Sequence, residues 1–194
     1  MVDFIRNVFN PPKPIPYSIV ALLDDEHDTL VKTLWDELDT EFGISFPFDE
    51  PIPHITHLQA WTIKHDALHQ ALEKFASMQA PYTIRTSGLG IFTGEKNALY
   101  VSVVRNPNLT AIQTTMIGTL AGSVEDLAET HLVNHWMPHI SLAIGLMGDD
   151  VDTLGKIVSH LAQRSFTWEC RITQLAVLGD EEDDTPFTVN LRDG

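Results

Sequence analysis

Two near-identical strings, Pro53-His54-Ile55-Thr56 and Pro138-His139-Ile140-Ser141, lie one in each half of the chain, and the elements around them recur in the same order. Each half reads as strand, helix, motif strand, helix, strand. In the first half, residues 17–23 form an apolar run bounded by proline and acidic residues, the mark of a buried strand. Leu30, Leu34, Leu38 and Phe42 then recur every four residues from Asp28 onward, a core-facing helical stripe that Gly43 ends. The motif strand covers 54–58, a second helix turns Leu68, Leu72 and Phe75 inward, and 82–92 is a strand joined to 98–104 by a hairpin loop over 93–97. The second half opens on 98–104 and places a helix at Leu109, Ile112, Met116 and Leu120. Its motif strand covers 139–144, a helix follows at Val151, Leu154, Val158 and Leu161, and strands are expected at 166–178 and 187–191. Tyr17 to His54 is 37 positions and Tyr100 to His139 is 39. Matched order and spacing imply a duplication, with two lobes related by an approximate two-fold axis that sets the motif strands opposite one another.

In a strand, residues i and i+2 point to the same face, roughly 6 to 7 Å apart. Each motif therefore sets an imidazole beside a hydroxyl, and two such pairs across a cleft would hold a phosphate between a base and an acid. Such triplets also arise by chance. A third, His27-Asp28-Thr29, sits in an acidic stretch at a helix start and is read as surface. The shared proline, the internal isoleucine and the strand pattern after Ser141 set the other two apart.

Composition narrows the classes. A chain of 194 residues, 43% hydrophobic and 20% charged, can bury one large core, and residues 1–194 are read as a single bilobal domain with 1–16 as a proline-rich N-terminal strap. The single Cys170 can form no internal disulfide, no cysteine cluster offers a zinc site, and the N-terminus lacks the apolar run of a signal peptide, so the cytoplasm is the expected compartment. No apolar stretch is long enough to span a bilayer, and no membrane partner is expected. The net charge of −15 argues against long nucleic acid as the main ligand. Lys64, Arg85, Lys96, Arg105 and Arg171 are too scattered to form a patch, and the acidic run 180–184 lacks the glycine and ligand spacing of a calcium loop.

The paired motifs, each on a strand, resemble the signature of the two-histidine (2H) phosphoesterase superfamily, which includes 2'-5' RNA ligase-like proteins and cyclic nucleotide phosphodiesterases. The resemblance runs from about Tyr17 to Leu191. It implies an α+β fold, two-lobed, with antiparallel sheets lining a central cleft. It implies an enzyme that hydrolyses a phosphodiester without a metal or other cofactor, commonly a 2',3'-cyclic phosphate or a short 2'-5'-linked oligonucleotide, with His54 and His139 catalytic and Thr56 and Ser141 binding phosphate. RNA end processing or 2'-5' ligation, and a non-catalytic nucleotide-binding module, are the alternatives. The first motif departs in its continuation, His57-Leu58-Gln59, where the family is more apolar. His57 alternates with His54 and should face away from the cleft as a structural or surface histidine.

Other constellations are weaker. His131, His135 and His139 are spaced by four, but Pro138 breaks any shared helix and Leu132 stands where a metalloprotease motif would carry glutamate, so no metal is expected there. Phe46, Phe48, Trp61, Phe92 and Trp136 include candidates for stacking on a nucleobase, with core packing as their default role. The imidazole is the group best suited to the implied chemistry, because near neutrality one of a pair can be neutral while the other is protonated.

Overall fold

A computed structural model describes residues 16–46, 51–94, 97–146, 150–179 and 186–192. The strap residues 1–15, the acidic run 180–184, Lys96, Phe48 and the side chain of Val151 lie outside the described residues. Among the described residues, nine strands and four helices follow in the order β1 (Tyr17–Leu22), α1 (Asp25–Phe42), β2 (His54–Ile63), α2 (His65–Met78), β3 (Tyr82–Phe92), β4 (Asn97–Val103), α3 (Pro107–Leu120), β5 (Val124–Leu127), β6 (His139–Leu146), α4 (Asp150–Leu161), β7 (Glu169–Ile172), β8 (Gln174–Leu178) and β9 (Phe187–Asn190). A single 3-10 turn, Glu129–His131, precedes β6.

All strand pairs are antiparallel, in two sheets ordered β5-β2-β1-β8-β9 and β6-β4-β3-β7. The duplication is visible in the triplets β2-β1-β8 and β6-β4-β3, each holding a motif strand, the opening strand of its half, and a closing strand from the other half. The closing strands are thus exchanged. The expected single strand over 166–178 is interrupted at Thr173, so that β7 joins one sheet and β8 the other. The short β5 and the 3-10 turn carry too few residues for any periodicity to announce them.

The helices also exchange partners. α1, from the first half, packs on β6, and α3, from the second, packs on β2. α1 is capped at Asp24, whose side chain accepts the His27 amide, and ends where Gly43 takes up the left-handed conformation at φ 68°. Its buried face holds Val31, Leu34, Trp35 and Leu38, whereas Leu30 is 39% exposed. A strict four-residue repeat drifts around a helix of 3.6 residues per turn, which carries Leu30 off the buried face. The expected inward positions of α2 and α3 are all buried. Gly90 on β3 lies opposite Tyr100 on β4, and a Cβ there would run into the tyrosine ring, so only glycine lets that ring lie across the strand.

Candidate active site

The two motif strands share one backbone design. In both, the histidine is half-buried, the isoleucine buried, the hydroxyl residue half-buried, and the next two residues buried in succession. That doubling marks a bulge. Val20 pairs with Thr56 and Ile19 with Leu58, which leaves His57 as the extra residue of β2. Tyr100 pairs with Ser141 and Leu99 with Ala143, which leaves Leu142 as the extra residue of β6. A bulge bends and twists its strand, and here both fall directly after the hydroxyl. The carbonyl that precedes each bulge is held by a tryptophan from the other half. Trp136 Nε1 donates to the Thr56 oxygen at 2.8 Å, and Trp35 Nε1 donates to the Ser141 oxygen at 3.1 Å.

The histidines are oriented alike. His54 Nδ1 lies 2.6 Å from the Ile52 carbonyl and His139 Nδ1 lies 2.7 Å from the Met137 carbonyl. A carbonyl can only accept, so Nδ1 carries the proton and the neutral ring keeps its lone pair on Nε2. β2 and β6 approach within 8 Å between Cα atoms, and a charge on His139 disfavours one on His54. Burial lowers the pKa of both rings, with the hydrogen bond to the backbone acting in the opposite sense.

Two further imidazoles extend this cluster. His131, in the 3-10 turn, is held at about 4 by burial and by the charge of His139. His57 is inaccessible to solvent, takes Tyr82 as its Nε2 partner at 2.7 Å, packs on Trp136, and is held at about 4 by burial and then by His131. It is therefore a buried structural histidine facing away from His54. His135 lies outside the cluster, exposed and 3.6 Å from Glu129.

The motif faces differ in what lies beside them. Leu22 and Val20 are opposite His54 and Thr56, whereas Ser102 and Tyr100 are opposite His139 and Ser141. Phe92 stacks on Tyr100 at 4.2 Å and meets the His139 ring edge-on at 4.9 Å. Of the aromatic residues singled out from the sequence, Phe92 is the one described against a motif histidine. Trp136 is a buried clamp, Phe46 lies on Trp35, and Trp61 is exposed on β2. Tyr100 and Trp35 carry no local signal of this role, because only strand register and helix exchange bring them to the motifs.

Three of the named cations have partners of their own. Lys64 pairs with Glu125, Arg85 with Glu169, and Arg105 donates to the carbonyls of Val133 and Trp136. His27, expected at the surface, is buried at 8% exposure because its ring closes the cap of α1, with Nδ1 2.6 Å from Asp24 Oδ1. Asp24, His27 and Cys170 bring ligand atoms within 4.8 Å of one another. Hydrogen bonds account for the grouping. Asp24 accepts the backbone amides of His27 and Arg171, and its own amide points at the Cys170 sulfur. Burial pushes the Cys170 thiol up to about 12, which keeps it protonated at neutral pH.

A family model described as the 2'-5' RNA ligase superfamily matches residues 24–184. Two Bacillus cereus proteins, from strains G9842 and B4264 and provisionally named phosphoesterases, are 26% identical over 137 residues, which is 69% of this chain and 73% of each relative. Among solved structures, E. coli LigT complexed with 3'-AMP is similar with a TM-score of 0.57 at 13% identity, covering 94% of this chain and 100% of that one. Usb1 of Kluyveromyces marxianus is similar with a TM-score of 0.52 at 12% identity, with the same coverage. Both likenesses are of fold. Among the described residues no helix is long and apolar enough to cross a membrane.

Proposed function

The chain belongs to the 2'-5' RNA ligase superfamily, the 2H phosphoesterase class, and from that premise we propose that it is a phosphodiesterase opening a 2',3'-cyclic phosphate or cleaving a short 2'-5'-linked oligonucleotide, with His54 and His139 as its acid–base pair. The observation that carries this is the matched pair of Nδ1 bonds, which gives two neighbouring strands the same imidazole tautomer and the same basic Nε2. One neutral Nε2 takes the proton of a water as its oxygen attacks phosphorus. The other ring, protonated, gives its Nε2 proton to the bridging oxygen as the P–O bond breaks. The Thr56 and Ser141 hydroxyls donate to the non-bridging oxygens, where charge develops. Because a charge on one ring disfavours a charge on the other, the working state carries one proton between them.

The charge pattern favours a small substrate. A chain at −15 whose Lys64, Arg85 and Arg105 are committed to other partners offers little to a long phosphate backbone. LigT structures complexed with 3'-AMP and with ATP lend support by likeness of fold. The test is a panel of 2',3'-cyclic mononucleotides and 2'-5' dinucleotides assayed in EDTA, with the product phosphate position read by phosphorus NMR. Turnover of a member of the panel, unchanged by chelator, is expected. Loss of turnover in EDTA, or cleavage of long RNA alone with a steep salt dependence, would contradict the assignment.

A further inference from the structure

α3 buries the amide of Gln113 beneath β2. The side chain is inaccessible to solvent, and its Nε2 forks to two carbonyl oxygens, that of His57 at 3.0 Å and that of His131 at 2.8 Å. Both neighbours can only accept, so it is the amide nitrogen that faces them. The His57 carbonyl belongs to the residue that bulges from β2 directly after Thr56. The His131 carbonyl opens a strap, residues 131–138, that delivers His139 to β6. The same strap is pinned by Trp136 Nε1 on the Thr56 carbonyl and by Arg105, just past the end of β4, on the carbonyls of Val133 and Trp136. One amide therefore ties the strand that carries His54 to the segment that carries His139.

Stability alone does not account for this amide. Gln113 Oε1 and His57 Nδ1 are both buried without a hydrogen-bond partner among the described residues. A buried unpaired polar atom is destabilising, because it gives up its water without gaining a partner. An apolar side chain at 113 would relieve the unpaired Oε1 while leaving the two carbonyls bare, so the effects on stability oppose one another. What the apolar side chain could not replace is the fixed relation between bulge and strap.

We propose that Gln113 is a positioning residue, holding the His57 bulge and the 131–138 strap in the one relation that sets His54 and His139 on either side of a bound phosphate ester. This rests on the acid–base assignment above. A misplacement of about 1 Å in such a pair is worth on the order of 100-fold in rate.

Gln113→Met keeps the length of the side chain and removes its hydrogen bonds. The expected result is a fall in kcat of about 10- to 100-fold with KM changed far less, the pattern of an interaction that serves the transition state. In the same protein, NMR titration of the imidazole C–H signals should show the His54 midpoint rising toward its ordinary value, as water enters and the repulsion from His139 relaxes. Trp136→Phe should lower kcat too, and the double variant should lose less than the product of the two, because both bonds fix one strap. Leu68→Ala, in the core of α2, supplies a destabilised control whose kcat per folded molecule is unchanged. An unmoved His54 titration in folded Gln113→Met overturns the proposal, as does an unmoved kcat in a protein that turns over the cyclic phosphate. If the unaltered chain turns over no member of the panel, the assigned reaction falls, and the titration still decides the role of Gln113.

Discussion

β2 and β6 carry the same sequence of devices: a proline, a histidine bonded through Nδ1 to the carbonyl two residues back, a buried isoleucine, a hydroxyl, a bulge, and a tryptophan from the other half on the carbonyl before that bulge. They part at the bulge itself, where β6 has Leu142 and β2 has His57 with its partner Tyr82. The shared devices all orient an imidazole and a hydroxyl, so the duplicated skeleton is what the proposed chemistry requires. The difference concerns how each half is held to the other. β6 receives a tryptophan directly from α1, whereas β2 receives its tryptophan from the strap and a glutamine from α3.

The largest effects should come from breaking the shared part. His54→Ala and His139→Ala are each expected to lower kcat by about 10²- to 10⁴-fold, with the double variant little worse than either, since the proposed base and acid serve one transition state. A steady-state assay on a cyclic phosphate checks this, and a folded single variant near full activity would break the equivalence of the halves. Thr56→Val and Ser141→Ala should cost less, about 10²-fold each and most of it in kcat, because a hydroxyl donor contributes to charge stabilisation without moving a proton. A tenfold disparity between the two would show that the halves hold the phosphate unequally.

His57→Leu makes the β2 bulge resemble that of β6. At pH 7 it leaves the Tyr82 hydroxyl without its partner and should destabilise by about 1–3 kcal/mol. At lower pH the balance changes. His57 is held at about 4 against an ordinary 6.5, so between those values the unfolded chain binds a proton that the folded chain refuses. Stability is lost as pH falls through that window, by on the order of 3 kcal/mol for this group. Removing the imidazole removes that loss, and urea melts at pH 7 and pH 4.5 should show the variant's deficit shrinking or reversing. The smallest effect is expected at the clip between α1 and α4, where Glu37 accepts from Arg164 at 2.8 Å and pairs with His160 at 2.5 Å. Glu37→Gln should cost under about 1 kcal/mol by denaturant melting, less in high salt, because these groups are solvent-screened.

The parts legible in the sequence are those written over a few adjacent residues. The four motif residues can be found because identity, spacing and flanks are contiguous, and the helices because their stripes recur. Even there, Leu30 and His27 show the limit. A leucine at four-residue spacing drifted off the buried face, and a histidine in an acidic stretch was buried by capping its own helix. The exchange of closing strands, the break at Thr173 and the two bulges belong to pairing between distant segments, which no local periodicity encodes. Trp35, Tyr100 and Gln113 reach the motifs only through that pairing.

If His54 and His139 work as the proposed pair, with one of the two rings protonated while both act on one phosphate, the pH dependence of kcat/KM records it. Because burial and mutual repulsion lower the pKa of His54 and burial lowers that of His139, the expected profile is a bell with its maximum on the acid side of about 6.5, its two limbs belonging to the pair. A profile that rises to a plateau above pH 7, or a bell that survives unchanged in His139→Ala, would show that the two histidines do not act as an acid–base pair.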